Sequence, residues 1–335
     1  MSDKLNKTRN YFRCVGSVYE TDLTREDCEI KLKDKDGNDD GKMNGERIRG
    51  KIAVRTDNGI IEFRVFFQSH NSKPDKNGKR ENGRWKMAES MIEWNPAVNG
   101  NGDEPTLVNI EGTFDVNDYV GQDGNVKSGV QMNVSKASTK VSEDEPKGCS
   151  WNGVCYIKEI NPEVINENET GRLIVNLLGV NGKSEVFPIK SIVEEDLAED
   201  FEDAYEPEQT VSMDIDVICR HVGQKKATKK AFGRSGSVEV NSGFDVTEFV
   251  IVGADDPIEE PEDEDDDGNL IDNGWLDPKT VKKALKERAK KLEELKANGG
   301  NTEKKGSVKE AKKMAKTKTK ASYFEDDDSD EDCPF

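Results

Sequence analysis

A segment in which apolar and polar residues alternate, and which turns back at an Asn-Gly dipeptide, constrains this fold more than any other feature. Residues 47–55 place isoleucine and valine on one face of an extended strand, and arginine and lysine on the other. Residues 60–68 repeat the alternation. Asn58-Gly59 between them is typical of a tight turn, because both residue types tolerate positive φ. The pattern predicts an antiparallel hairpin with one buried face and one exposed basic face.

The hairpin belongs to a longer pattern of five strands with a helix between the third and the fourth. That order is typical of an OB-fold, a small, partly open β-barrel, and it occurs twice. We therefore predict a mainly β protein with tandem OB-fold barrels. The predicted elements of the first unit are strands 11–19, 47–55, 60–68, 107–119 and 127–136 and a helix at 84–94. Those of the second unit are strands 153–160, 172–178, 184–189, 210–222 and 244–252 and a helix at 193–205.

The full chain has a formal net charge of −19, and charge divides the part that follows the two predicted barrels. Residues 255–278 carry 12 acidic side chains and no basic one, whereas residues 279–320 carry 16 basic and 5 acidic side chains. Asp277-Pro278 is typical of a helix start, with an N-cap and a proline at the first helical position. The predicted organisation is two barrel domains (1–145 and 146–254), an acidic linker (255–277), a helix (278–298), and a Lys-rich segment with a disordered acidic tail (299–335).

The basic face of the hairpin is the first candidate for a nucleic-acid site. Basic groups hold phosphates, and an exposed aromatic ring offers a stacking surface of about 1–3 kcal/mol per base. In an OB-fold the second and third strands form the binding face. An ordinary solvated strand would also display such charges, and that interpretation stays open. The candidate residues are Arg47, Arg49, Lys51, Arg55, Arg64 and Phe66.

Two basic loops, each with one aromatic residue, extend this candidate site. Flexible basic loops of this kind suit a wrapped single strand, although each could equally be a solubilising loop. The candidates in the first loop are Lys79, Arg80, Arg84 and Trp85. Those in the second are Lys225, Lys226, Lys229, Lys230, Phe232 and Arg234.

The C-terminal end has the features of a docking peptide. An acidic run repels itself and stays solvated, while the end offers a phenyl ring, a rigid proline and a free α-carboxylate. A partner needs only a small apolar pocket with a basic rim to hold it. The candidate partner-binding residues are Asp330, Glu331, Asp332, Cys333, Pro334 and Phe335.

These last residues resemble the C-terminal tip of bacterial and phage single-stranded DNA-binding proteins (SSB), which typically ends Asp-Asp-x-Pro-Phe. Glu331 departs from that pattern, and Cys333 stands in place of the usual isoleucine. The two-unit layout is more similar to the phage type. The resemblance implies sequence-independent binding and protection of single-stranded DNA during replication, recombination or repair. It also implies partner proteins from those processes, recruited through the tail, and a cytoplasmic location, in the host cytoplasm for a phage protein.

Several other classes of protein fit the sequence poorly. No phosphate-binding GxxxxGK[ST] loop is present, and His70 and His221 have no nucleophile motif near them, so we expect no enzyme. The six cysteines form no CxxC pair, and we expect neither a metal nor a cofactor. No apolar run approaches the roughly 20 residues of a membrane span, so we expect no membrane partner.

Two other functions stay open at this point. The net charge of −19 would suit an acidic protein-interaction module, or a DNA mimic that binds no nucleic acid. Nothing in the sequence distinguishes ribose from deoxyribose, so an RNA-binding OB-fold protein is the other alternative. The Lys-rich segment could contact phosphates or pair with the acidic tail of its own chain.

Overall fold

Strands make up most of the computed structural model, which describes residues 5, 7–121, 124–165, 167–228, 236–261 and 273–302. The first unit contains six strands and one helix. In chain order they are β1 (Asn10–Thr21), β2 (Thr24–Lys33), β3 (Asp39–Thr56), β4 (Gly59–Gln68), α1 (Trp85–Ile92), β5 (Leu107–Val120) and β6 (Val126–Ser138).

Five of these strands close into a barrel. β1 pairs with β3, β3 with β4, β4 with β6, β6 with β5, and β5 with β1. The pairing of β4 with β6 is parallel and aligns Arg64 with Asn133, and α1 lies between β4 and β5 in the chain. This is the strand order of an OB-fold.

The second unit repeats that order. Its elements are β7 (Cys149–Ile165), β8 (Asn168–Val180), β9 (Val186–Val193), α2 (Glu195–Ala204), β10 (Thr210–Thr228) and β11 (Gly236–Ala254). β7 pairs with β8, β8 with β9, β9 with β11 in parallel, β11 with β10, and β10 with β7. The prediction of a mainly β protein with tandem barrels is therefore confirmed.

Strand β2 is absent from the sequence-based prediction. It extends the first barrel as the partner of β3, with Glu26 opposite Arg47 and Ile30 opposite Met43. Seven of its ten residues are charged or threonine, and only Ile30 is buried. A strand at the edge of a sheet needs little apolar surface, so its alternation is too weak to recognise.

The two barrels share one interior. β1 of the first barrel pairs with β7 of the second over Asn10–Cys14 and Cys149–Gly153. A row of aromatic rings crosses this seam: Phe63 to Phe12 at 5.2 Å between centroids, Phe12 to Phe114 at 6.0 Å, and Phe114 to Trp151 at 5.2 Å. All four side chains belong to one buried cluster that includes residues of both barrels. The boundary expected near residue 146 therefore separates strands but not hydrophobic cores.

The turn of the β3–β4 hairpin also contacts the second barrel. The amide of Cys219 on β10 donates a 2.9 Å hydrogen bond to the carbonyl of Asn58. Gly59 has φ 112°, and a Cβ there would lie 2.2 Å from the carbonyl oxygen of Cys219. Glycine is thus required both for the turn and for the close approach of the two backbones.

Helix α3 (Pro278–Thr302) follows the barrels. Asp277 caps it, accepting hydrogen bonds from the amides of Lys279 at 3.0 Å and Thr280 at 3.1 Å, as the Asp-Pro pattern predicts. Leu276 and Val281 are buried in a second cluster with side chains of β7, β8 and β9. None of the helices in the described part of the chain is long and apolar enough to cross a membrane.

The ends of the predicted linker are bonded to β10. The amide of Ile258 donates to the carbonyl of Thr210 at 2.7 Å, and the amide of Leu276 donates to the hydroxyl of Thr210 at 3.1 Å. Residues 262–272 lie outside the described part. Of the described residues, those up to 117 and those from 128 to 288 form one compact group, and those from 118 to 127 and from 289 to 302 form another.

Candidate nucleic-acid interface

The β3–β4 hairpin has the two faces that its alternation predicts. Ile48, Ile52, Phe63 and Val65 point inward and are fully buried. The opposite face carries the cross-strand pairs Arg49–Phe66 and Lys51–Arg64. All four residues of these pairs are exposed.

Phe66 is the exposed aromatic residue on this face. Half of its surface is accessible, although a large apolar side chain on a strand is normally buried. Arg49 lies directly opposite on β3, and Arg64 precedes it by two residues on the same face of β4. The arrangement places an open ring next to Arg64 on its own strand and opposite Arg49 on the neighbouring strand, a combination that suits both a base and its phosphates.

Carboxylates offset three of the predicted basic residues. Arg47 and Arg49 both pair with Glu26 of β2, with 2.8 Å from Arg47 Nε to Glu26 Oε1. The hydrogen bond from Arg47, and the charges of both arginines, lower the pKa of Glu26. Lys51 Nζ lies 2.7 Å from Glu62 Oε1. Because β2 is missing from the prediction, sequence reasoning overestimates the net charge of this face.

Arg55 and Arg64 form no ion pair with any carboxylate in the described residues. The guanidinium of Arg55 lies 4.6 Å from the centre of the Tyr19 ring, a cation–π contact. Arg64 Nη1 donates a 2.7 Å hydrogen bond to Oε1 of Gln131 on β6. Neither contact neutralises the positive charge, so both guanidinium groups can still attract an anion.

Beside Phe66 a cleft of about 380 Å³ opens. Its wall includes side chains of β4 and β6 and one lysine from the β8–β9 turn of the second barrel. The lining residues are Arg64, Phe66, Gln131, Asn133, Val134 and Lys183. The hairpin analysis identifies Arg64 and Phe66 but misses the others. The OB-fold order could have placed Gln131 and Asn133, since it puts the fifth strand beside the third, whereas no sequence signal points to Lys183.

The first basic loop lies apart from this cleft. Arg80 donates to the carbonyl of Lys33 at 3.0 Å and pairs with Asp40 at 2.6 Å, so it holds the loop against the β2–β3 hairpin. Trp85 is half-buried at the start of α1 and packs against the core, with the guanidinium of Arg25 lying 5.6 Å from its ring centre. Lys79 and Arg84 are exposed, and none of the four predicted residues lines the cleft.

The remaining predicted site residues fall outside the described part of the structure. Lys225 and Lys226 lie on β10, but their side chains are not described. The other loop residues, Lys229, Lys230, Phe232 and Arg234, are outside it altogether, as is the whole C-terminal tip from Asp330 to Phe335.

Comparisons with known proteins give similarities to solved structures and one family. The wild-type single-stranded DNA binding protein from Thermus aquaticus matches with a TM-score of 0.42 and 11% identity over 78% of this chain and 98% of that one. A deletion mutant of the same protein matches with a TM-score of 0.39 and 13% identity over 77% and 99%. No curated protein matches the chain. The YorF family matches residues 20–298, which is most of the chain, and the protein therefore belongs to the YorF family.

Proposed function

We propose that this protein binds single-stranded DNA without sequence preference, through the β3–β4 face and the adjoining cleft. The observation that carries the proposal is Phe66, which is half exposed at the cleft that Arg64 also lines, with Arg49 as its cross-strand neighbour. A ring in that position stacks on a base while the guanidinium groups bind the flanking phosphates. Every base has a π-face, so this mode of binding reads no sequence.

The same geometry favours a single strand over a duplex. In a duplex both faces of each base are covered by its neighbours, so an exposed phenyl ring has no base face to contact. In an unpaired strand the bases can turn outward and stack on aromatic side chains. We assign to the protein the coating and protection of such strands during replication, recombination or repair, in the manner of a phage-type SSB in the cytoplasm, and no catalytic step.

A second candidate function is an acidic interaction module that binds no nucleic acid. Two observations favour it: the net charge of −19, and the carboxylates of Glu26 and Glu62 that offset three cations of the hairpin. The hairpin face nevertheless keeps Arg64 and Arg55 without a carboxylate partner in the described residues, and Arg64 lines the cleft together with the exposed ring of Phe66. We therefore prefer the single-strand proposal.

Fluorescence anisotropy with labelled oligo-dT, a duplex of equal length and a matched RNA, over a series of salt concentrations, tests the proposal. We expect the single strand to bind more tightly than the duplex, with log K falling linearly with log salt. Arg64→Ala should weaken binding and reduce the slope by about 0.7, the value for one phosphate contact on a single strand.

Lys51→Ala is the matched control for this experiment. Lys51 is the cross-strand neighbour of Arg64 on the same face, but its charge is already offset by Glu62, so its loss should have the smaller effect. If the protein binds none of the oligonucleotides, the result supports the acidic module. If it binds RNA more tightly than DNA, the result supports an RNA-binding protein.

We further propose that the tip, residues 330–335, recruits replication, recombination or repair proteins. Phe335→Ala should remove most of this recruitment, because burying one phenyl ring contributes about 1.5–3 kcal/mol, enough to turn a micromolar contact into a negligible one. The substitution leaves every acidic charge in place, and DNA binding should be unchanged. A pull-down from cell extract measures it.

Phe324→Ala provides the control for the tip. It also removes one phenyl ring, but from the residue that precedes the acidic run instead of the one that follows it. It should leave recruitment intact. If wild-type protein and both variants capture the same proteins, the tail serves only to keep the chain solvated, and the recruitment proposal is wrong.

A further inference from the structure

Lys183 of the second barrel lines the cleft of the first, although it lies in a turn remote in sequence from the hairpin. The β8–β9 turn that carries it is organised around the buried side chain of Asn181, which is 3% exposed. Asn181 Oδ1 accepts hydrogen bonds from the amides of Lys183 at 2.9 Å and Glu185 at 3.0 Å. The side chain of Asn181 therefore sets the conformation of the turn.

The amide group of Asn181 also ties this turn to the first barrel. Its Nδ2 donates a 2.8 Å hydrogen bond to Oδ1 of Asp115 on β5, and makes a longer contact of 3.4 Å with Oε2 of Glu185. Asp115 is partly buried, and its Oδ1 also accepts a 2.8 Å bond from the amide of Val116. The turn thus has a fixed partner on the first barrel.

The hydrogen bonds continue from Asp115 to the cleft. Asp115 Oδ2 lies 3.5 Å from Nδ2 of Asn133, a weak contact. Asn133 Oδ1 then accepts a 2.6 Å bond from Nε2 of Gln131, whose Oε1 accepts the 2.7 Å bond from Arg64. One row of polar contacts therefore connects Arg64 of the first barrel with the turn that presents Lys183.

Two arginines of the second barrel are unsuited to a phosphate. Arg172 is enclosed by Glu163, Glu194 and Glu248 at 3.3–3.6 Å. Arg220 pairs with Glu194 at 2.9 Å and with Glu248 at 3.2 Å. Lys183, in contrast, is exposed and pairs with no carboxylate in the described residues.

We propose that the second barrel completes the single-strand site of the first: Asn181 is a positioning residue that holds Lys183 at the cleft, where Lys183 binds the phosphate of a nucleotide whose base stacks on Phe66. This inference rests on the proposed single-strand binding. It assigns the strand a path from the β3–β4 face across the cleft to the β8–β9 turn. An exposed ammonium group is a mobile point charge, so its contribution depends on how the turn holds it.

The test measures the affinity for oligo-dT and its salt dependence in the full-length chain. Lys183→Ala should weaken binding and reduce the salt slope by about 0.7, while Lys279→Ala, which also removes an exposed charge but outside the cleft, should match the wild type. Asn181→Asp keeps the acceptor for the turn but sets a second carboxylate against Asp115. It should reproduce the effect of Lys183→Ala.

A reciprocal exchange separates positioning from general stability. The double variant Asp115→Asn with Asn181→Asp restores the wild-type net charge and an amide–carboxylate pair across the barrels, and it should recover more of the salt slope than Asn181→Asp alone keeps. Lys183→Ala added to Asn181→Asp should lower the slope no further, because both changes remove the same contact.

The outcomes distinguish a failure of this inference from a failure of the proposed single-strand binding on which it rests. If wild-type protein fails to bind oligo-dT, the proposed function itself is wrong. If wild-type protein binds but Lys183→Ala behaves like Lys279→Ala, single-strand binding stands and the composite site is overturned. Should Asn181→Asp fail to fold, as thermal unfolding would reveal, Lys183→Ala and the exchanged pair decide the question.

Discussion

Replacing Phe66 with alanine should weaken the binding of oligo-dT by about 1–3 kcal/mol, roughly 5- to 150-fold, because it removes the stacking surface from the centre of the proposed site. The free energy of unfolding should barely change. Half of this side chain is exposed in the free protein, so its loss leaves no cavity in the core. Anisotropy titration and thermal unfolding of the same samples measure both quantities.

Two further substitutions at this position identify the physical cause. Phe66→Tyr keeps a flat aromatic face and should bind nearly as tightly as the wild type. Phe66→Leu keeps much of the apolar area without a π-face, and it should resemble the alanine variant. Equal binding by leucine and phenylalanine would show that the ring acts as apolar surface only, and unchanged binding by the alanine variant would remove Phe66 from the site.

Trp151→Ala should lower the free energy of unfolding by about 3–5 kcal/mol, the largest effect on stability that we expect. Trp151 is fully buried at the seam between the barrels, stacked on Phe114 at 5.2 Å and 13°. Its Nε1 donates a 2.9 Å hydrogen bond to Oδ1 of Asn10. Because the core cluster includes residues of both barrels, urea should unfold them in a single transition that the substitution shifts as a whole.

Asn10 and Trp275 supply the controls for this result. Asn10→Ala removes the acceptor of the indole N–H and the two bonds between Asn10 and the backbone of Phe114, and it should cost about 1–3 kcal/mol while leaving the ring in place. Trp275→Ala removes a partly exposed indole and should cost less than Trp151→Ala. Two transitions, only one of them shifted by Trp151→Ala, would mean that the barrels unfold independently.

The alternation of apolar and polar residues and the turn residues predicted those parts of the fold that depend on neighbouring residues in the chain. The alternation through Val65 and Phe66 identified the buried and exposed faces of the hairpin, since successive side chains of a strand point to opposite sides. Asn58-Gly59 located its turn. The order of strands and helices, read twice along the chain, was sufficient to predict both barrels.

Features that depend on pairing between distant segments were missed. Glu26 lies on a charged edge strand, so its contact with Arg47 and Arg49 could not be inferred from its own neighbours in the chain. Lys183 reaches the cleft only because the second barrel packs on the first. The same reason applies to Trp85. Its loop is rich in basic residues and was predicted to contact nucleic acid, but the Trp85 ring packs against the core.

The carboxylate of Glu26 has a consequence for how readily a strand can leave. In solution, the cations condensed on a nucleic acid disperse when a basic surface neutralises its phosphates, and that release drives the association. Glu26 is held by the backbone of β2 and cannot disperse. It remains beside Arg47 and Arg49 as a competitor at constant local concentration. A phosphate on these arginines therefore replaces one anion with another. Under the proposed single-strand binding, we expect this exchange to make the contact weaker than two arginines would suggest and to let the bound strand leave more readily.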